Sequence, residues 1–344
     1  MNAFTNYLEK LGSNFVVSAM VPSLALVIAC ILVFDPILNV AAAFKDPQST
    51  YQIVSFGLLV FIFTVIIGFT LTALNTFILK MFEGYVIFPP VRFLYNISRK
   101  IHLRKAQSMV NKRNELEAEV RRLESLIKAH PELEAELEEL MDRYYKAAAD
   151  YSLTYPDNLS DVLPTRFGNT LKAAENYSGE RYGFDGVHFY PRLMQVIPVE
   201  YKLNIDTARN ELSFLANMSI LSVFFSFLCM FAIFISMSMV NGAGTDPAIF
   251  IEFSGTVMRY LTAAAVGFIS CGFFYNASIF SVNSFGLMIR SSFDLFRMDL
   301  LKKLGLERPK DSEEEFNTWQ VLNELIVLGS HSLSFKKLDY RKEE

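Results

Sequence analysis

Long apolar runs without a charge dominate the hydrophobic pattern of this 344-residue chain. Four segments contain no Asp, Glu, Lys or Arg, at residues 14–34, 51–79, 212–240 and 260–289. Each exceeds the roughly 20 residues that a helix needs to cross a hydrocarbon core, so the pattern predicts four transmembrane helices. The first is expected to be an anchor that ends at Asp35-Pro36, not a cleavable signal. The other three are longer than one span, so they are expected to tilt or to continue into water as helices.

A charged region with helical periodicity follows the second run. Its apolar side chains recur at helical spacing, at Met109, Leu116, Val120, Leu123 and Ile127, then at Leu133, Leu137, Leu140 and Tyr144. His130-Pro131 interrupts this stripe, and proline suits the first turn of a new helix. We predict helices near 92–129 and 131–151, forming a hairpin or one kinked rod, whose stripes pair within the hairpin or across subunits.

The segment RYGFDGVHFYPRL, residues 181–193, places aromatic and polar residues around two glycines. This pattern predicts a compact loop with at most a short strand. Before it, Thr165 is the predicted N-cap of a helix over 165–177. We expect a buried ion pair that joins Asp185 to one of three arginines, Arg166, Arg181 or Arg192. The alternative is a pocket in which these arginines bind an anionic ligand.

Two further helices are predicted after the fourth run. Residues 291–305 have an amphipathic pattern, and Gly305 is expected to end that helix. Ser312 is the predicted N-cap of the second helix, with Glu315 at the position of a capping box.

The predicted fold class is therefore an all-α membrane protein with four transmembrane helices, a coiled-coil-like cytoplasmic hairpin and a small mixed cytoplasmic segment. Five regions are expected along the chain. They are an N-terminal amphipathic segment with the first two transmembrane helices (1–90), the hairpin (91–151), a juxtamembrane segment (152–211), the last two transmembrane helices (212–290) and a helical tail (291–344).

Basic residues predict the orientation of these regions. Six Lys and Arg follow the second run before residue 106, and Arg290, Arg297, Lys302 and Lys303 follow the fourth. The loops 35–50 and 241–259 contain only two basic residues, Lys45 and Arg259. The positive-inside rule therefore predicts a multi-pass protein of the bacterial inner membrane, with both termini and the central region in the cytoplasm.

Composition offers little enzymatic chemistry. The net charge of −4 gives no nucleic-acid footprint, and the sequence has no phosphate-binding glycine loop, no metal-binding histidine pair and no Cys-x-x-Cys. The four histidines are scattered, and all three cysteines lie inside the predicted spans. We therefore predict a protein without catalytic residues, cofactor or metal.

Polar faces inside the apolar runs suggest a different function. No ionisable residue lies deep in any run, which disfavours an ion-coupled transporter. Small and polar residues instead share helix faces, and the candidate pore-lining residues are Thr64, Asn75, Gly272, Asn276 and Asn283. Such faces also serve close helix packing, and the serine face of 219–236 is better suited to that role. A water-filled pore would require several subunits, because four helices leave little room for one.

Three segments carry a resemblance to known proteins: LPTRFGNTLKAAENY (163–177), RYGFDGVHFYPRL, and the tail from SFDLFRMDLLKKLG (292–305) to NELI (323–326). Together they resemble a group of poorly characterised bacterial four-span membrane proteins, for which no enzymatic activity is implied. The chain is also similar in organisation to the oligomeric channel effectors of Hailong-type anti-phage defence. That resemblance implies restraint of the channel by single-stranded DNA made by a partner nucleotidyltransferase.

Two functional hypotheses remain from the sequence. The first is a homo-oligomeric pore, with a tetramer as the working assumption, embedded in membrane lipid and gated through its cytoplasmic region by a nucleotide or single-stranded DNA. The second is a membrane-anchored scaffold that recruits partners through the hairpin.

Overall fold

A computed structural model of the chain describes the backbone over 15–38, 50–86, 92–128, 130–240 and 247–329. Side chains are described over 15–34, 54–86, 92–128, 130–238 and 253–329. The predicted N-terminal amphipathic segment, residues 39–49 and 241–246 of the two short loops, and the last fifteen residues lie outside the ranges described for the backbone.

Helices make up nearly all of the described residues, which contain no strand. In chain order they are α1 (Val21–Leu38), α2 (Thr50–Glu83), α3 (Arg92–Leu126), α4 (Glu134–Thr154), α5 (Arg166–Tyr182), α6 (Gly186–Leu193), α7 (Val199–Val240), α8 (Pro247–Lys303) and α9 (Ser312–Leu328). A π-helical turn at Val16–Met20 precedes α1, and short 3-10 turns lie at Pro131–Leu133 and Leu159–Asp161. The all-helical class that was predicted is confirmed.

Four of the described helices are long and apolar enough to cross a membrane, as the sequence predicts. The candidate spans are Val16–Phe34, Val54–Glu83, Val199–Ser238 and Phe253–Lys303. Two predicted boundaries are wrong. The helix α1 continues through Asp35-Pro36 to Leu38, because one proline near a helix end removes only one hydrogen bond. Residues 291–303 continue α8 instead of forming a separate helix, since nothing breaks the chain before Gly305, where φ is +77°.

The chain divides into two compact units. Unit 1 comprises Met1–Lys80 and Arg209–Ser281, and unit 2 comprises Met81–Ala208 and Val282–Glu344. In unit 1, the Asn217 amide of α7 donates to the Ser18 carbonyl oxygen at 2.7 Å. The ring of Phe34 in α1 lies 5.4 Å from that of Tyr260 in α8. Hydrogen bonds and ring contacts therefore supplement the apolar packing of these helices.

In unit 2, α3 and α4 pack against each other as an antiparallel hairpin. Leu116 and Val120 of α3 are buried with Leu140 of α4, and Ala106 is buried with Tyr151 and Tyr155 near the open end. Of the two arrangements considered from the sequence, the hairpin is the one found. The apolar stripes pair with each other within the chain, and Leu123, Leu137 and Tyr144 are partly buried beside this core.

The remaining helices of unit 2 enclose an aromatic cluster. Phe184, Phe189, Phe293 and Trp319 are each at most 1% exposed. The Phe184 ring lies 4.4 Å from Trp319 and 5.5 Å from Phe293. This cluster joins α6, α8 and α9 through a single apolar core.

The N-cap predicted for α9 is wrong by one residue. Asp311, not Ser312, caps this helix, and its carboxylate accepts from the backbone N–H of Glu314 at 2.8 Å. This shift leaves Glu315 free to pair with Arg297 of α8 at 2.6 Å.

The start of α5 is fixed to the end of α2 by backbone contacts within unit 2. Thr165 caps α5 as predicted, accepting from the N–H of Gly168 at 2.9 Å. Its hydroxyl also donates to the Phe82 carbonyl oxygen at 2.7 Å. Gly168 lies so close to the Glu83 carbonyl that a Cβ built there would overlap with it. The Asn169 amide donates to the Leu163 carbonyl oxygen at 2.8 Å, while its own oxygen accepts from the N–H of Leu163.

We predict that Gly168→Ala destabilises the protein by about 1–3 kcal/mol or more, because backbone atoms of two helices must separate to admit the methyl group. Gly57→Ala is the matched control, since a Cβ there meets no atom within 4 Å of the same chain. Thermal unfolding of the detergent-purified variants, followed by circular dichroism, measures the difference. Equal midpoints for the two variants would contradict the assigned contact.

Candidate functional site

The three segments that carry the family resemblance meet in unit 2. Segment 163–177 forms the start and body of α5, segment 181–193 includes α6, and segment 292–305 forms the last turns of α8. Side chains from all three contact one another around Asp294, so this region is the candidate site of unit 2.

The segment RYGFDGVHFYPRL was predicted to be a compact loop, and this prediction is wrong. The segment consists of the end of one helix, a tight turn and a short helix. Its first glycine, Gly183, ends α5 with φ at +85°, a conformation that favours glycine. Gly186 begins α6 close to the Glu175 carbonyl and the Ser178 hydroxyl. Both glycines therefore mark helix boundaries, and their density misled the interpretation of the pattern.

The buried pairing expected for Asp185 is also wrong. Its side chain is 42% exposed, and it pairs with His188 at 3.0 Å instead of an arginine. Its carboxylate caps α6 by accepting from the N–H groups of Val187 and His188 at 2.8 and 3.1 Å. Partial burial opposes ionisation, but these hydrogen bonds and His188 lower the pKa of Asp185 overall.

The three arginines do not converge on one group in the structure. Arg192 donates to the His188 carbonyl oxygen at 2.7 Å, and Arg181 lies over the Tyr177 ring at 5.4 Å. Arg166 is exposed at the start of α5. Burial lowers the pKa of His102, and the charges of Lys105 and Arg166 lower it further. Burial raises the pKa of Tyr155, and the charge of Arg166 partly opposes that rise. Because the three arginines have three different surroundings, the structure does not support the expected pocket for an anionic ligand.

A network that sequence reasoning missed centres on Asp294. The hydroxyls of Tyr182 and Tyr177 both donate to its carboxylate, at 2.5 and 3.0 Å. Arg297 donates to the Asp294 carbonyl oxygen and to Glu315 of α9, and its guanidinium lies 4.2 Å from the Tyr182 ring centre. Burial and the bond to Asp294 raise the pKa of both tyrosines, which therefore remain protonated donors at neutral pH. The sequence signal was present, because Arg290, Asp294 and Arg297 are spaced four and three apart on one helix face.

Arg290 extends this network to the hairpin. Its side chain is 8% exposed, donates to the Ser152 carbonyl oxygen at 2.6 Å and lies 5.2 Å from the Tyr177 ring centre. Beside it, partial burial and the neighbouring Asp157 carboxylate raise the pKa of Glu180 to about 7. The network thus combines two buried or half-buried arginines, a carboxylate that accepts from two tyrosines and a neighbouring carboxyl group with a raised pKa.

The candidate pore-lining residues lie in α2 and α8. Thr64 is buried and donates to the Val60 carbonyl oxygen at 2.8 Å, while the buried Asn75 side-chain oxygen has no hydrogen-bond partner in the described structure. Asn276 is exposed, with its amide donating only to the Gly272 carbonyl oxygen of its own helix. Gly272 meets open space, and Asn283 is partly exposed.

The serine face of α7 packs against α8, in agreement with its expected packing role. Ser219 donates to the Cys271 carbonyl oxygen at 3.1 Å, and Ser226 to that of Ala264 at 3.0 Å. The adjacent Gly267 has no room for a Cβ beside Ser226. Small residues therefore bring these two helices into close contact.

Among the described residues, no group of three or more His, Cys, Asp or Glu side chains is arranged to hold a metal ion. Comparison with models of protein families, with curated proteins and with solved structures finds no match to this chain.

We predict that Asp294→Ala lowers the free energy of unfolding by about 2–4 kcal/mol, because two tyrosine hydroxyls lose a shared charged acceptor. Asp185→Ala, which removes only an exposed helix cap, should cost about 0.5–2 kcal/mol. The two variants are compared by chemical denaturation of unit 2, with the fluorescence of Trp319 as the probe of its tertiary structure. A larger loss for Asp185→Ala would show that the network around Asp294 is not the stronger support.

Proposed function

We propose that this chain is the subunit of a homo-oligomeric, non-enzymatic membrane pore whose opening is controlled through unit 2. One observation carries the proposal: the amide of Asn276 lies on a face of α8 that no other described helix of the chain covers. On the same face, Ile269, Phe273 and Phe280 are 73%, 66% and 74% exposed.

An amide exposed to hydrocarbon lacks partners for its remaining hydrogen-bonding groups, which is unfavourable. Contact with other copies of the chain, around water, supplies those partners and covers the apolar side chains. Phe273 and Phe280 flank Asn276 in sequence and can form the dry constriction by which pores close. A pore of this kind alternates polar rings with apolar rings.

The serine face of α7 and Thr64 of α2 are less suited to line a pore than α8, whereas Asn75, whose side-chain oxygen has no partner in the described structure, keeps α2 as the competing lining helix. Ser219 and Ser226 of α7 are engaged with α8 in the same chain, and Thr64 of α2 is buried. Asn283 lies seven residues beyond Asn276, which places it about 10 Å further along the same side of a helix. Asn276 and Asn283 are therefore proposed as two polar rings around the axis of the oligomer.

Control through unit 2 is supported by chain continuity, since α8 contains both Asn276 and Asp294. The regulator is proposed to be a nucleotide or single-stranded DNA, in line with the resemblance to anti-phage channel effectors. The protein is proposed to reside in the bacterial inner membrane with both termini in the cytoplasm, because basic residues follow the second and fourth spans.

A membrane-anchored scaffold is the second candidate function. The α3–α4 hairpin favours it, because the apolar stripes are satisfied inside the hairpin and the outer faces carry exposed charges, including Arg121, Glu124 and Glu138. Such a surface is available to a protein partner. If the protein is a scaffold, its expression should not change the membrane potential of the cells under any condition.

We predict that Asn276→Leu combined with Asn283→Leu abolishes conductance in planar bilayers while the oligomer persists, because the path becomes dry. Ser226→Ala is the matched control in a packing face. It should retain conductance and lower stability by about 0.6–2 kcal/mol through loss of one interhelical hydrogen bond. Full conductance of the double variant would remove α8 from the pore lining, and absence of conductance from the wild-type oligomer would favour the scaffold.

We also predict that a cysteine introduced at Ser312, an exposed position, is protected from an impermeant maleimide in intact spheroplasts and reacts after lysis. Labelling before lysis would reverse the proposed orientation. The unsubstituted protein is the control for the native thiols, of which Cys229 is fully buried.

A further inference from the structure

The region just after the second span has an unusual charge distribution. Residues 84–114 contain seven Lys and Arg and no Asp or Glu. Most of these residues belong to α3, whose apolar side chains include several that the hairpin does not bury. The basic residues and the exposed apolar side chains therefore occur in the same part of α3.

One face of this part of α3 is fixed against the rest of unit 2. The Ser98 hydroxyl donates to the Pro164 carbonyl oxygen at 2.5 Å, and Arg99 donates to the carbonyl oxygens of Val162 and Ser160 at 2.8 and 2.9 Å. Ala106, two turns further on, is fully buried. These contacts determine which side of the helix points outward.

The outward side combines an apolar stripe with basic side chains. Phe93, Ile97 and Ile101 recur every four residues, and Phe93 and Ile101 are 72% and 57% exposed. The adjacent Leu94 is exposed as well. Three exposed basic residues lie on or beside the stripe, at Lys100, Arg104 and Lys105. Arg99 does not belong to this set, because its guanidinium is already bonded to two carbonyl oxygens.

We propose that this face of Arg92–Lys105, the lipid-docking face, lies on an anionic lipid surface. A helix with large apolar residues inserts them at the level of the headgroups, while Lys and Arg around them attract anionic lipids. The distance is short enough, because only residues 84–91 separate α3 from α2, and eight residues span at most about 28 Å.

A second copy of this chain is the competing occupant, and it fits less well. Its acidic stretch 131–142 would match the charge of the lipid-docking face. However, no large apolar side chain is exposed in that described stretch, so Phe93, Ile97 and Ile101 would remain without an apolar partner. A lipid surface satisfies both the charge and the apolar stripe.

Docking of this face tethers the base of the hairpin to the membrane surface and makes its position dependent on lipid charge. The inference rests on the membrane location in the proposed function, but it does not require a pore. Failure of the conductance test therefore leaves it intact, and its own failure leaves the pore intact.

The test uses Phe93→Trp in the full chain, reconstituted into vesicles of brominated phosphatidylcholine, with or without an equal part of phosphatidylglycerol. The native Trp319 is fully buried in the aromatic cluster, so it provides a constant background. We expect bromine quenching of the new indole in the vesicles with phosphatidylglycerol, and weaker quenching without it. Tyr145→Trp, an exposed position on α4, should remain unquenched in both.

The charge requirement is tested in the same Phe93→Trp background. Substitution of Lys100, Arg104 and Lys105 by Gln should lower the ratio of docked to undocked helix about fivefold for each charge removed. Lys112, Arg122 and Lys128 are exposed elsewhere on the helix or just after it, and their substitution by Gln removes the same net charge. That control should leave quenching unchanged.

Three outcomes would overturn the proposal. The first is an unquenched indole in anionic vesicles, and the second is equal quenching whether or not phosphatidylglycerol is present. The third is loss of quenching as more copies are reconstituted per vesicle, which would assign the face to a second copy of the chain.

Discussion

A single carboxylate acts as the common acceptor in unit 2. Asp294 accepts from two tyrosines of α5, while the neighbouring Arg297 connects α8 to Glu315 of α9. The aromatic cluster packs beside these bonds, with Phe293 next to Asp294 in sequence. The positions of α5, α8 and α9 thus depend on a charge that is partly buried and compensated by donors. A carboxylate in this setting fixes geometry through directed bonds, which apolar packing alone does less well.

The extent of prediction from sequence differs between the two units for a physical reason. Crossing a hydrocarbon core requires long apolar helices, so the four candidate spans were evident from charge-free runs alone. The hairpin was also foreseeable, because the stripe through Leu116, Val120 and Leu140 needed a partner. Boundaries were less accurate where a local signal was ambiguous, as at Asp35-Pro36, or where two neighbouring residues could both cap a helix, as at Asp311 and Ser312.

The candidate site was harder to predict, because its key contacts are between residues far apart in sequence. Tyr177 and Asp294 are separated by more than a hundred positions, and no periodic pattern links them. Asp185 attracted attention because it lies among arginines, yet its bonds are to its own helix and to His188. A high density of charged and aromatic residues in a short segment therefore predicted the site less well than spacing on one helix face did. That spacing is shown by Arg290, Asp294 and Arg297.

Gly168 and Asp185 also impose different constraints on divergence of this chain. At position 168, the opposing Glu83 carbonyl excludes every side chain, so a lineage can replace this glycine only if two helices move apart together. At position 185, the requirement is a short side chain with an oxygen acceptor, which Asn, Ser and Thr also meet. Related chains should therefore vary among these four residues at the second position and be invariant at the first. This contrast would distinguish two causes of selection in the same region: the lack of space beside the opposing backbone at position 168, and the need for a helix cap at position 185.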